Sequence, residues 1–228
     1  MTMALMLCKY ISSGLLISGT MRFFYLLNVL LIVCGFCNSV SGQNFDINTL
    51  KDLNVHRNTN MDESMKLISN SEGYIGVGIP VSVCIAAWAK HDKKLLEKGV
   101  NISFGLVANT LNTYILKHAI NRDRPSVTYP YIKSFESERH YSFPSGHTSN
   151  AFCNATALSL NFKKWYVVVP SYAWACAVGY SRMHLGMHYP SDVLAGAIVG
   201  AGSAYITYKA NEWIKHYYKA KFSSNSTP

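Results

Sequence analysis

Charged side chains are scarce in this sequence. Asp, Glu, Lys and Arg make up 14% of its 228 residues, against roughly a quarter in soluble domains. That shortage argues against an ordinary water-soluble domain. Carboxylates are scarcer than cations, 12 against 21, and the formal net charge is +9. With few carboxylates near the clusters described below, a two-metal catalytic site has no ligand set, and neither metal nor other cofactor is expected. A continuous basic stripe is also missing, because the cations split between those clusters and short loops, so no nucleic acid partner is expected. Cysteine is too thinly spread for a disulfide framework. Cys8, Cys34 and Cys37 lie near the N-terminus. Cys84, Cys153 and Cys176 fall in separate apolar stretches and read as small buried side chains. Cys34-x-x-Cys37 sits inside an apolar run and is not read as a redox motif. Mean hydropathy is only +0.08, low for a bundle made solely of membrane helices; the polar stretch 43–73 and the loop before Pro144 dilute it.

What is present divides into four segments. Residues 1–42 read as a signal peptide or N-terminal membrane segment. Met21-Arg22 is followed by an apolar run over 23–37 and by Val40-Ser41-Gly42, a small-residue cleavage site. Met21 is the expected start, and the alternative is an uncleaved first membrane helix. Residues 43–73 form a polar exported segment carrying Asp46, Asp52, Asp62, Glu63 and Glu72 against Lys51, Arg57 and Lys66. It is expected to make a cap or short amphipathic helices. Residues 74–212 form the main helical domain. Residues 213–228 form a basic aromatic tail with Trp213, Tyr217 and Tyr218, read as an interfacial anchor.

The main domain holds five apolar stretches, about 74–90, 99–117, 147–161, 165–181 and 192–209. Several are shorter than the ~20 residues a spanning helix prefers. Gly196, Gly200 and Gly202 allow close helix contact in a membrane and equally suit a compact soluble core. Charge placement separates the two. The connections 90–98 and 162–164 and the run 209–221 hold Lys90, Lys93, Lys94, Lys98, Lys163, Lys164, Lys209, Lys215, Lys219 and Lys221. They alternate with connections that lack this lysine excess, as the positive-inside rule requires. The reading is an all-α helical bundle embedded in a membrane.

Three short clusters between residues 117 and 192 carry the chemistry. The first is Lys117, six residues, Arg124-Pro125. The second is Pro144-Ser145-Gly146-His147. The third is Ser181-Arg182, five residues, His188, three residues, Asp192. Arg offers planar bidentate donors to phosphate oxygens and Lys a mobile point charge. A Ser-Gly turn opening a helix aims backbone N–H groups at an anion. A His with a carboxylate four residues on is a nucleophile or base with its orienting group. Seven residues is nearly two helical turns, so Lys117 and Arg124 are expected on one face of one helix, which Pro125 ends. Pro190 is expected in the first turn of the next helix, with Asp192 reaching back to His188. His118 and His184 read as pocket wall or plain surface. Arg122 and Asp123 read as a local pair or as shaping access, and Tyr129, Tyr131 and Phe135 as a lipid-facing rim or ordinary loop aromatics.

In this order the three clusters resemble the tripartite signature of the type 2 phosphatidic acid phosphatase and vanadium haloperoxidase superfamily, and the resemblance covers roughly 74–210. It implies a bundle of that kind and a phosphoryl-transfer site. By that resemblance His188 attacks phosphorus and becomes a phosphohistidine, His147 protonates the leaving oxygen and Asp192 orients His188. Lys117, Arg124, Ser145, Gly146 and Arg182 bind the phosphoryl group. The implied function is a membrane-associated phosphatase for a lipid phosphate or diphosphate monoester, in a bacterial-type inner (cytoplasmic) membrane with its active site facing the periplasm. The implied partners are a lipid phosphate substrate and the membrane. Undecaprenyl diphosphate, phosphatidylglycerophosphate, phosphatidic acid and the phosphates of lipid A are the candidates. A soluble periplasmic acid phosphatase, a vanadate-dependent haloperoxidase and a non-enzymatic membrane scaffold are the alternatives.

Overall fold

The structure, a computed structural model, describes residues 40–136 and 140–224. The expected signal segment, the Met21 start and Cys8, Cys34 and Cys37 lie outside the described residues. Of the unit Met1–Asn44 only residues 40–44 are described, and they are helical. The second unit, Phe45–Pro228, holds the bundle.

Among the described residues the ordered elements are helices. They are α1 (Val40–Val55), α2 (Asp62–Ala89), α3 (Lys93–Ile120), the short α4 (Pro125–Thr128), α5 (Gly146–Phe162), α6 (Trp165–His184) and α7 (Pro190–Ser224). Local chemistry sets their ends. Asp62 and Glu63 place negative charge in the first turn of α2, where the helix dipole favours it. Asp92 caps α3 by accepting from the Lys94 and Leu95 N–H groups. Asn121 closes α3 with a left-handed backbone, φ 51°, and Lys163 closes α5 the same way, φ 49°. Pro80 and Pro170 lie inside α2 and α6, which membrane helices tolerate because neighbours satisfy the freed carbonyls.

Among the five long helices, α5 packs against α2, α3, α6 and α7. That central position demands small side chains. The buried face of α5 is Thr148, Ser149, Ala151, Cys153, Asn154, Ala155, Thr156 and Ala157. α7 answers with glycine. A Cβ on Gly200 would lie 2.0 Å from the Ser149 carbonyl oxygen, and one on Gly196 2.6 Å from that of Ser145. Any side chain there would push α7 off the start of α5.

Outside, the pattern inverts. Tyr74, Val77, Val81, Ile85 and Trp88 are exposed at three- and four-residue spacing on α2, as are Phe104, Val107 and Leu111 on α3. Inside, Asn109, Thr148, Ser149 and Asn154 are buried. Apolar side chains outward and small or polar ones inward is what a lipid solvent selects. Among the described residues one helical stretch, Thr59–Ala89, is long and apolar enough by itself to cross a membrane.

Three details differ from the sequence reading. α2 begins at Asp62, so part of the polar stretch 43–73 shares a helix with the apolar stretch that follows. The run 213–222 continues α7, which ends at Ser224. Cys153 is buried, but Cys176 is exposed, because on α6 it falls on the outward face.

Candidate active site

All three clusters lie at the end of the bundle where α3 stops and α5 and α7 start. The first is not the single helix that seven-residue spacing predicts. Asn121 takes the left-handed conformation and its N–H closes onto the Lys117 carbonyl, so α3 ends before Arg124. Arg124 instead precedes α4 in extended geometry, φ −74° and ψ 154°, as a residue before proline prefers. Lys117 and Arg124 therefore reach the site from two elements. Arg124 is buried; its Nε donates to the His140 carbonyl at 2.8 Å and its Nη1 to the Met187 carbonyl at 2.9 Å. Lys117 is half-buried, with Nζ donating to the Tyr141 carbonyl at 2.6 Å.

The second cluster opens α5. Ser145 is the residue before the helix, Gly146 its first residue and His147 its second. The Ser145 N–H donates to the Asp192 carbonyl at 3.0 Å, which ties this helix start to α7. Lys117 flanks the same turn: its Cε would lie 4.0 Å from a Cβ on Gly146. His147 is half-buried in that first turn.

The third cluster spans the α6–α7 connection. Gly186 turns the chain with φ 68°, and a Cβ there would sit 2.7 Å from both Asn54 and the Lys133 carbonyl, so only glycine fits. His188 follows in the connection and Pro190 opens α7. Asp192, in the first turn of α7, is fully buried. It gathers donors: Arg122 Nη1 at 2.7 Å, Ser142 Oγ at 2.5 Å and the Tyr189 N–H at 3.0 Å. His188 Nδ1 lies 3.6 Å from Asp192 Oδ2 and 3.4 Å from Ser142 Oγ. That is longer than a full hydrogen bond; such contacts tighten when substrate binds. Arg182 is 2% exposed, and its Nη1 donates to Ser69 Oγ of α2 at 2.8 Å.

The electrostatics of His188 follow from this burial. Desolvation pushes its pKa down to about 3; the Arg182 and Arg124 charges act in the same direction, and Asp192 opposes them. The imidazole is neutral at physiological pH. With Nδ1 facing Asp192 and carrying the ring proton, Nε2 bears the lone pair. A neutral imidazole in the field of two fixed guanidinium groups is arranged to meet an anion.

The profile of the PAP2 superfamily matches residues 98–215. The chain belongs to the PAP2 superfamily. It is 32% identical over 106 residues to a lipid A 4'-phosphatase of Bacteroides thetaiotaomicron, covering 46% of this chain and 45% of that protein. It is 26% identical over 192 residues to an undecaprenyl-diphosphatase of Sulfolobus acidocaldarius, covering 82% and 90%. The match spans about half the length of the lipid A phosphatases. Among solved structures it resembles LpxE of Aquifex aeolicus, with 26% identity, TM-score 0.63 and coverage of 72% of this chain and 95% of that one. The fold also matches the Bacillus subtilis transmembrane PAP2 type phosphatidylglycerolphosphate phosphatase, with TM-score 0.69 at 23% identity and coverage of 85% and 96%. The bundle is thus of the membrane PAP2 kind.

In this PAP2 bundle the structure adds residues that the three clusters do not include. Ser142 bridges Asp192 and His188. Arg122 does more than pair locally, since it joins Asp192 to Asp46 of α1 at 2.8 Å. Glu72, grouped by composition with the polar segment, is buried inside the bundle beside Asn150 and in the field of Arg182. His184 is buried and bonds Asp62 at 2.9 Å, whereas His118 is exposed and its Nδ1 lies 2.8 Å from the Tyr114 carbonyl oxygen. Tyr129 and Phe135 pack inward against buried clusters, while Tyr131 is exposed. The buried positions Asp62, Met65, Ser69, Glu72 and Gly76 of α2 recur at three- and four-residue spacing, a signal that could have turned Glu72 inward; nothing local in the sequence marks Ser142 or Asp46.

Proposed function

We propose that the chain is a phosphatase for a lipid phosphate or diphosphate monoester and works through a phosphohistidine. The observation that carries this reading is the neutral, buried His188, backed by Asp192 and set between Arg124 and Arg182 beside the start of α5. Its Nε2 attacks phosphorus, and the bond from phosphorus to the leaving oxygen breaks. His147 delivers a proton to that oxygen. The Nδ1 proton stays between His188 and Asp192, so the charge formed on the ring meets a carboxylate. Water then attacks the phosphohistidine, His147 takes its proton, and inorganic phosphate leaves. Lys117, Arg124, Arg182, Ser145 and the Gly146 N–H hold the phosphoryl oxygens. Phosphoryl transfer asks mainly for positioning and charge stabilisation, which fixed cations supply.

The outward apolar faces of α2 and α3 support a lipid substrate, met at the end of a bilayer-embedded bundle. Lipid A, undecaprenyl diphosphate and phosphatidylglycerophosphate are named for the relatives and are the candidate substrates. The lysine-rich connections lie at the opposite end of the bundle, so the positive-inside rule directs the site outward, to the periplasm of a bacterial-type inner membrane. Phosphate release by detergent-purified protein from lipid phosphates and from para-nitrophenyl phosphate tests this reading. Turnover is expected with the wild type and none with His188→Ala. Full turnover by His188→Ala would remove the nucleophile. Release of active protein from membranes by salt washing alone would favour the soluble exported phosphatase.

A further inference from the structure

The carboxylate behind His188 is tied, through Arg122, to a residue outside those that match the family profile. Arg122 Nη1 donates to Asp192 Oδ1 at 2.7 Å and to Ser191 Oγ at 2.7 Å, while its Nη2 donates to Asp46 Oδ2 at 2.8 Å. Asp46 also accepts from the Ser191 N–H at 2.9 Å and from the Ser191 hydroxyl. Its side chain is 7% exposed. Asp46 belongs to α1, which is seated on this end of the bundle by other contacts. Ile47 and Leu50 pack with Ile132 and Tyr189. The Asn54 side chain donates to the Lys133 and His184 carbonyls at 3.1 Å and accepts from the Lys133 N–H at 2.9 Å. The Arg122 guanidinium lies 4.0 Å from the centre of the Tyr189 ring, so it is fenced on one face by an aromatic and on its edges by two carboxylates.

We infer that Asp46 is a positioning residue for phosphoryl transfer, acting through Arg122 on Asp192. One guanidinium shared by two carboxylates cannot neutralise both. Asp46 holds Arg122 at a fixed distance and takes part of its charge, and Asp192 keeps enough negative charge to orient His188. Without Asp46, Arg122 pairs with Asp192 alone and competes with the imidazole for it. The segment preceding the main bundle is therefore coupled to the chemistry as well as covering it. This inference rests on the phosphohistidine reading.

The test uses the full chain in detergent with para-nitrophenyl phosphate, and measures kcat, KM, the pH profile of kcat and thermal melting. Asp46→Asn keeps the size and an acceptor but removes the charge. It is expected to lower kcat about tenfold at unchanged KM, in line with loss of a supporting group around a catalytic one. It is also expected to move the acid limb of the kcat profile, where the His188–Asp192 pair takes up a proton, to lower pH, because an Arg122 held by Asp192 alone makes that protonation harder. Asp46→Glu is expected to restore most of kcat. Because Asp46 acts through Arg122, Asp46→Asn should cost little further in an Arg122→Ala background. Leu50→Ala, which loosens α1 without touching the charges, should lower melting and leave the pH profile in place. Wild-type kcat and pH profile in Asp46→Asn, or an equal loss in the Arg122→Ala background, would overturn the inference. If Asp46→Asn is not recovered folded, Arg122→Lys decides: lysine keeps the charge but cannot span both carboxylates, and wild-type kcat there would overturn the inference. Turnover by His188→Ala, in contrast, would sink the nucleophile reading and this inference with it, whereas a wild-type Asp46→Asn would overturn the inference alone and leave that reading standing.

Discussion

The two ends of the bundle use ionic side chains in opposite ways. At the site end Arg182, Arg124, His188 and Asp192 are 2%, 6%, 1% and 0% exposed, and their partners are fixed side-chain and backbone groups. At the other end Lys215 contacts Glu97 and Glu212 with side chains 39–50% exposed, and Lys98 rests on the Phe162 ring at 4.8 Å. A buried charge costs several kcal/mol to desolvate and persists only if its neighbours are in place. An exposed one costs little and is worth little. The same residue types therefore mark the proposed reaction centre at one end and, at the other, the proposed cytoplasmic face. The largest effects of substitution should fall where the charges are dry.

His188→Ala is the sharpest test, with phosphate release expected to fall by about 10⁴-fold or more, as loss of a nucleophile does. Asp192→Asn keeps the volume but loses the charge that fixes the imidazole, and a fall in kcat of roughly 10³-fold is expected at similar KM. Arg182→Lys comes next. Lysine retains the charge but has no planar fork to bond Ser69 and a phosphoryl oxygen together. A loss of about 10²-fold in kcat/KM is expected, of the size of removing one oxyanion donor; a loss under threefold would place Arg182 away from the phosphoryl group.

Burial of His188 gives a pH prediction of fixed sign. Its folded pKa lies below the ordinary value of about 6.5, at about 3. Below pH 6.5 the unfolded chain gains a proton there that the folded chain refuses, so this group's contribution favours folding above that pH and is lost progressively as pH falls toward 3. Over pH 6–8 the folded His188, the proposed nucleophile, does not titrate. In His147→Gln with para-nitrophenyl phosphate, whose leaving group needs no proton, the rate of phosphoenzyme formation should be flat over that range. An ordinary pKa would instead produce about a fourfold drop from pH 8 to pH 6, measurable by rapid quench.

The all-helical bundle and the three clusters were legible because each rests on local signals: apolar stretches bounded by lysine pairs, Pro190 at a helix start, and a His-x3-Asp spacing that one turn brings together. The end of α3 was misread because seven-residue spacing places Lys117 and Arg124 on one helix face only if the helix continues, and Asn121 supplies a left-handed closure before Pro125 can act. Asp46, Ser142 and Glu72 were missed for another reason. Their partners are 146, 50 and 78 positions away, at Asp192, Asp192 and Asn150, by way of Arg122 in the first case. Composition placed both acids in a polar exported stretch, and packing turns them inward. Sequence thus shows the groups proposed to touch substrate better than the groups that hold them.

The smallest effect expected is at the lysine-rich end, and it bears directly on the contrast between the two. Lys215→Ala removes contacts to Glu97 and Glu212, all on side chains at least 39% exposed. Exposed pairs contribute about 0–1 kcal/mol, and salt screens them further. Melting in detergent should shift by no more than a few degrees, and kcat should stay within twofold of wild type. The charge matters there only as one of several that orient the bundle, so a single neutralisation should leave topology unchanged. Exchange of Lys90, Lys93, Lys94, Lys98, Lys163 and Lys164 together for Gln should weaken orientation, read by cysteine labelling from each side of the membrane. A single Lys215→Ala that cut kcat as deeply as Arg182→Lys would mean the two ends are energetically joined through the long α7, and the division between dry catalytic charge and wet orienting charge would not hold.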